Sequence, residues 1–131
     1  MMRVVASIVL SLFLTAALAA QDKTSDPSGV WYGDYGTSAQ SRTEIRIVFK
    51  WDGKTLTGTV ATEDGQFDLE NARFDPNTGA VHLEVVFQGR GAPGHANTYR
   101  YIADGKIDKN TISGSWHNEF DKGDFAVNRI S

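Results

Sequence analysis

The chain predicts an all-β fold, an eight-stranded antiparallel up-and-down barrel. Three observations carry this expectation. Apolar and polar residues alternate with a period of two through most of the chain after Gly29. Turn residues recur about every ten positions. No segment of useful length repeats its apolar residues at helical spacing. Closing such a sheet removes edges that would otherwise pair with other chains. A two-sheet β-sandwich is the alternative, but it needs longer crossings between sheets than these short connections provide.

The first strand is expected over about Gly29 to Gly36. The second, "TEIRIVFK", puts Ile45, Ile47 and Phe49 on one face and Glu44, Arg46 and Lys50 on the other. Asp52-Gly53 then reads as a hairpin turn. The third strand, residues 55–61, places Leu56, Gly58 and Val60 inward and Thr57 and Thr59 outward. Asp64-Gly65 turns the chain again. The fourth strand is expected to run unbroken over residues 66–74, with Phe67 and Leu69 inward, and "DPNTG" ends it. The fifth, "AVHLEVVF", gathers Val81, Leu83, Val85 and Phe87 on one face. The sixth sets Tyr99, Tyr101 and Ala103 opposite Arg100, with a bulge expected at Gly105 before Ile107. The seventh covers residues 111–118 and the eighth residues 124–130.

Residues 1–19 read as a signal peptide. Arg3 precedes an uncharged, mostly apolar run, and Ala17-Leu18-Ala19 fits the A-x-A cleavage pattern. The run is short for a membrane span. Residues 20–28 read as a flexible polar leader and residues 29–131 as one β-barrel domain. An exported protein, periplasmic or secreted, is the expectation. The chain has no cysteine, which excludes disulfides, thiol nucleophiles and cysteine metal ligands. Thirteen basic residues stand against sixteen acidic ones, interspersed and without a basic stripe, so no nucleic-acid partner is expected.

Two segments share one pattern: Leu56-Thr57-Gly58-Thr59-Val60 and Ile112-Ser113-Gly114-Ser115-Trp116. Glycine inside a strand weakens it unless a bend or a close approach requires it. Gly58 and Gly114 therefore read as inward positions that let a tight barrel bend and accept large neighbours.

The segment Gly29-Val30-Trp31-Tyr32 resembles the G-x-W that opens the first strand of lipocalins and avidins. The resemblance implies a calycin-like barrel. It also implies that Arg129, late in the last strand, packs across Trp31, as a lipocalin arginine does. "DGKTLTGTV" is similar to the second avidin hairpin. "ISGSW" resembles the avidin strand whose tryptophan lines the biotin site, which maps Trp116 onto that role. The departures are specific. Gly33 stands where avidins carry asparagine, Val60 where they carry a ligand-binding tyrosine, and residues 81–87 hold no tryptophan. Thr37 and Trp116 remain as site matches, so neither biotin nor the avidin tetramer is implied.

Nothing in the chain pairs a nucleophile with a base, and catalysis is not expected. Histidines 82, 95 and 117 lack metal-ligand spacing, with His82 expected on the outer surface beside Glu84. No metal and no cofactor is expected. The carboxylates Asp52, Asp64, Asp75, Asp104, Asp108 and Asp121 mark turns. The expected function is therefore non-catalytic binding of a small apolar or aromatic molecule. Tyr35, Tyr99, Tyr101 and Trp116 would line the barrel mouth, with Arg90 and His95 on the glycine-rich loop "QGRGAPGHA". The alternative is a protein-interaction module, an inhibitor or accessory subunit of an exported enzyme, anchored by an exposed Trp51 at a hairpin tip.

Overall fold

The computed structural model describes residues 26–89 and 97–131. The expected signal peptide, most of the leader, and the loop residues Arg90 and His95 lie outside the described residues. Among the described residues nine strands form: β1 (Gly29–Gly36), β2 (Arg42–Trp51), β3 (Leu56–Thr62), β4 (Gly65–Asp68), β5 (Glu70–Asp75), β6 (Ala80–Gly89), β7 (Asn97–Asp108), β8 (Thr111–His117) and β9 (Lys122–Arg129). They make one antiparallel sheet in the order β4-β3-β2-β1-β9-β8-β7-β6-β5. One sheet of sequential hairpins, curled until its ends meet, is an up-and-down, nearly closed barrel. A sandwich of two separate sheets does not form among the described residues.

The ninth strand corrects the expected count of eight. The segment expected as one strand breaks at Leu69 into β4 and β5. β4 pairs only with β3, and β5 only with β6, at opposite ends of the strand order. A single polypeptide thus crosses the seam of the barrel, and it kinks to do so. The Leu69 N–H donates to the Gly58 carbonyl at 3.0 Å, which pins the kink to β3. Asn71 sits in the left-handed region at φ 48°, a conformation asparagine tolerates better than most residues. The register shifts between Glu70 and Arg73. The irregularity therefore lies here and not at Gly105, which pairs in register with Val81 on one side and Gly114 on the other.

The repeated glycines serve close backbone approach. A Cβ on Gly58 would stand 2.0 Å from the Val48 carbonyl oxygen and 3.2 Å from a Leu69 methyl. One on Gly114 would stand 2.0 Å from the Asp104 carbonyl oxygen and 2.5 Å from the Gly105 Cα. On Gly105 it would meet the Phe125 ring at 2.8 Å. Facing glycines on β7 and β8 thus open the room that Phe125 of β9 fills.

One end of the barrel is sealed. Trp31 is fully buried, and its indole N–H donates to the Pro27 carbonyl at 2.9 Å. The Arg129 guanidinium lies 4.4 Å from the centre of the Trp31 ring. Its N–H groups donate to the carbonyls of Ser28 and Asp26 and to Asn110 Oδ1. Pro27 is itself fully buried. Residues 26–28 are therefore built into the closed end rather than belonging to a flexible leader, because their carbonyls supply the acceptors Trp31 and Arg129 need. Trp51 joins the same end. It is half-buried, its ring packs edge-on against Phe74 at 5.1 Å, and its backbone N–H donates to Ser28 Oγ at 2.9 Å. This corrects the expectation of an exposed contact anchor: the hairpin folds Trp51 onto the core.

Candidate site at the open end of the barrel

The opposite end gathers the inward aromatics. Alternation brings Tyr35 of β1, Phe67 of β4, Phe87 of β6, Tyr101 of β7 and Trp116 of β8 to one level. Tyr35 meets Trp116 edge-on at 5.6 Å, and Tyr101 meets Trp116 at 5.5 Å with a 34° tilt. Phe87 links Tyr101 to Phe67. Trp116 is 6% exposed, and its indole N–H is shared between the carbonyls of Gly36 at 3.2 Å and Asp124 at 3.1 Å. That bifurcated bond fixes the ring as a wall, since a buried donor held by two acceptors has little freedom to turn.

These rings surround an open cavity of about 80 Å³. Its lining is almost wholly apolar, with Val60, Leu83 and Val85 below the aromatics, and Thr62 and the exposed Asp64 completing it from the β3–β4 turn. Burial raises the hydroxyl pKa of Tyr35, and nearby Tyr101, Asp64 and Glu63 add to that rise. Burial also raises that of Tyr101 against a hydrogen bond with Asn118. Both phenols therefore stay protonated at neutral pH, where each can donate or accept a hydrogen bond.

The structure brings Tyr35, Tyr101 and Trp116 together around the cavity, as the sequence places them. Tyr99 is not among the lining residues. It stacks behind Phe87 at 6.2 Å and meets Phe120 edge-on at 5.6 Å. Phe120, in the β8–β9 connection, is 76% exposed. Thr37 is exposed in the β1–β2 connection and does not line the cavity. Nothing in the sequence marks Asp64 or Phe120 as a site residue, because a carboxylate or a ring in a turn has no local signature that sets it apart.

A second polar constellation lies on the outer face of β5–β7. His82 is no simple surface histidine: its side chain is 17% exposed and clamped between two carboxylates. Nδ1 lies 2.6 Å from Asp104 Oδ1 and Nε2 lies 2.8 Å from Glu84 Oε2. Glu84 also accepts from Arg100 at 2.9 Å and from Asn71 at 3.3 Å. Burial pulls the His82 pKa down, but the bonds to Glu84 and Asp104 outweigh it and the net shift is upward. The His82 bond, aided by Asn71 and Arg100, holds Glu84 down at about 2. Among the described residues no group of three or more histidine or carboxylate ligands is assembled for a metal.

This clamp has a pH signature. A histidine whose folded pKa is raised stabilises the fold below its unfolded pKa, and that contribution is lost as pH rises through the folded value. Equilibrium urea unfolding is therefore expected to show about 0.5–1 kcal/mol less stability at pH 8.5 than at pH 5.5, the magnitude of a partly solvated pair. His82→Asn is expected to abolish that difference. An unchanged pH dependence in the variant contradicts the clamp.

No protein-family model matches the chain, and no curated protein matches it either.

Proposed function

We propose that the protein is an exported, non-catalytic binding protein of calycin-like type, taking a small apolar or aromatic molecule into the open end of its barrel. The observation that carries this reading is the cavity of about 80 Å³ in front of a fixed Trp116, open to solvent and walled by aromatic and aliphatic side chains. A cavity of about 150 Å³ encloses a whole benzene. The volume here suits a single ring entering edge-first, or the end of an alkyl chain, with the rest of the ligand resting on the rim. Burying about 150 Å² of ligand surface at about 25 cal/mol/Å² gives roughly 4 kcal/mol, a millimolar site that longer ligands improve. Export is supported by the apolar N-terminal run and Ala17-Leu18-Ala19.

The test is a titration with n-alcohols of increasing length, followed by tryptophan fluorescence. Each methylene that enters is worth about 0.8 kcal/mol, so affinity is expected to rise about fourfold per carbon until the cavity is filled, then level off. A non-saturating response, or affinity indifferent to chain length, overturns the reading.

One observation favours a second reading, a protein-interaction module. Phe120 stands 76% exposed beside Tyr99 at the rim, where it could anchor a protein partner. That reading predicts that a partner retained by the wild-type protein is lost with Phe120→Ser.

A further inference from the structure

The cavity has an electrostatic sign as well as a shape. Asp64 is the one charged residue among those that line it. Its backbone N–H donates to Thr62 Oγ1 at 3.1 Å, which fixes the turn that carries it. Its carboxylate makes no hydrogen bond or ion pair among the described residues. Among the described residues, the arginines flanking this end, Arg42 and Arg100, are occupied on the outer face. Arg42 is held by Asp34 at 2.7 Å and Asp124 at 2.6 Å, and Arg100 by Glu84 at 2.9 Å. Glu63 and Asp121 add negative charge close to Tyr35 and Tyr101 respectively. The rings of Tyr35, Tyr101 and Trp116 meet at 82°, 87° and 34° and give the cavity an uncharged aromatic wall.

We infer that the open end selects an amine: an alkyl or aryl body enters the apolar cavity and its ammonium group stays at the rim beside Asp64. This rests on the apolar-ligand reading above and narrows it. A carboxylate head on the same body would meet Asp64 with the wrong sign. An alcohol would be neutral to it.

The experiment compares 1-hexylamine, 1-hexanol and hexanoate on the full chain at pH 7 and one ionic strength, by tryptophan fluorescence. Hexylamine is expected to bind about fivefold tighter than hexanol, as an exposed charge pair allows, with hexanoate weakest. Asp64→Asn is expected to bring the amine-to-alcohol affinity ratio close to 1. Raising the salt should shrink the same ratio in the wild-type protein, because the pair is exposed. Hexanol binding without an amine advantage overturns the amine inference and leaves the cavity reading standing. So does an amine advantage that survives Asp64→Asn. Failure of all three probes to bind overturns both.

Discussion

Trp31→Ala is expected to cost about 3–5 kcal/mol of stability, the range for deleting a fully buried aromatic. Three losses coincide. The ring is wholly inaccessible to solvent, so its removal opens a large void at the sealed end. The Pro27 carbonyl, in a fully buried residue, loses its indole donor. The Arg129 guanidinium, 4.4 Å from the ring centre, loses its platform. Its other bonds, to the carbonyls of Ser28 and Asp26, then hold a chain segment whose packing partner has gone. Domains of this size are held by about 5–15 kcal/mol, so the variant should sit at the edge of folding at room temperature. Urea unfolding by far-ultraviolet circular dichroism measures the loss. Trp31→Phe, which keeps most of the volume but not the N–H, should cost clearly less. Equal losses in the two variants would show that the indole bond, not the packing, secures the end.

Gly114→Ala is also expected to be destabilising although it adds a single methyl group. The new Cβ would fall 2.0 Å from the Asp104 carbonyl oxygen and 2.5 Å from the Gly105 Cα. Both are backbone atoms in a paired strand and cannot swing aside as a side chain can. β7 and β8 must separate, which strains the Gly105–Gly114 pairing and the seat of Phe125. Overpacking of this kind costs about 1–3 kcal/mol and occasionally more. For a domain of about 100 residues each kcal/mol lowers the melting temperature by about 4–8 °C. A fall of about 4–24 °C is therefore expected by calorimetry. A change under about 3 °C would contradict the close approach described for these strands.

Much of this architecture is legible in the chain. Period-two alternation places Ile47 and Phe49, Val81 to Val85, and Trp116 on the inner face, because side chains on a strand have only two faces to choose between. The break at Leu69 is not legible. Residues 66–74 read locally as one strand, and only closure of the sheet sends their two halves to opposite edges. The glycines are readable as inward positions, but the carbonyls that demand them, of Val48 and Asp104, sit on the preceding strand, and only the paired backbones show how closely they approach. The His82 clamp depends on a register that sets His82 directly opposite Asp104, 22 residues on. Of the site, Tyr35, Tyr101 and Trp116 follow from alternation. Asp64 does not, because six carboxylates expected in turns look alike until the fold shows that Asp104 lies within β7 and that Asp64 sits in the turn bordering the cavity.

The proposed function has small apolar molecules enter the barrel beside Trp116. The chain has three tryptophans, and their indole N–H groups give three nuclear magnetic resonance signals that report different places. Trp31 and Trp51 mark the sealed end, and Trp116 marks the open one. Titrating 1-hexanol into ¹⁵N-labelled protein is expected to move the Trp116 indole signal along a saturating curve and leave those of Trp31 and Trp51 in place. Movement confined to Trp31 or Trp51, or no movement of Trp116 up to the solubility limit of the alcohol, would contradict it.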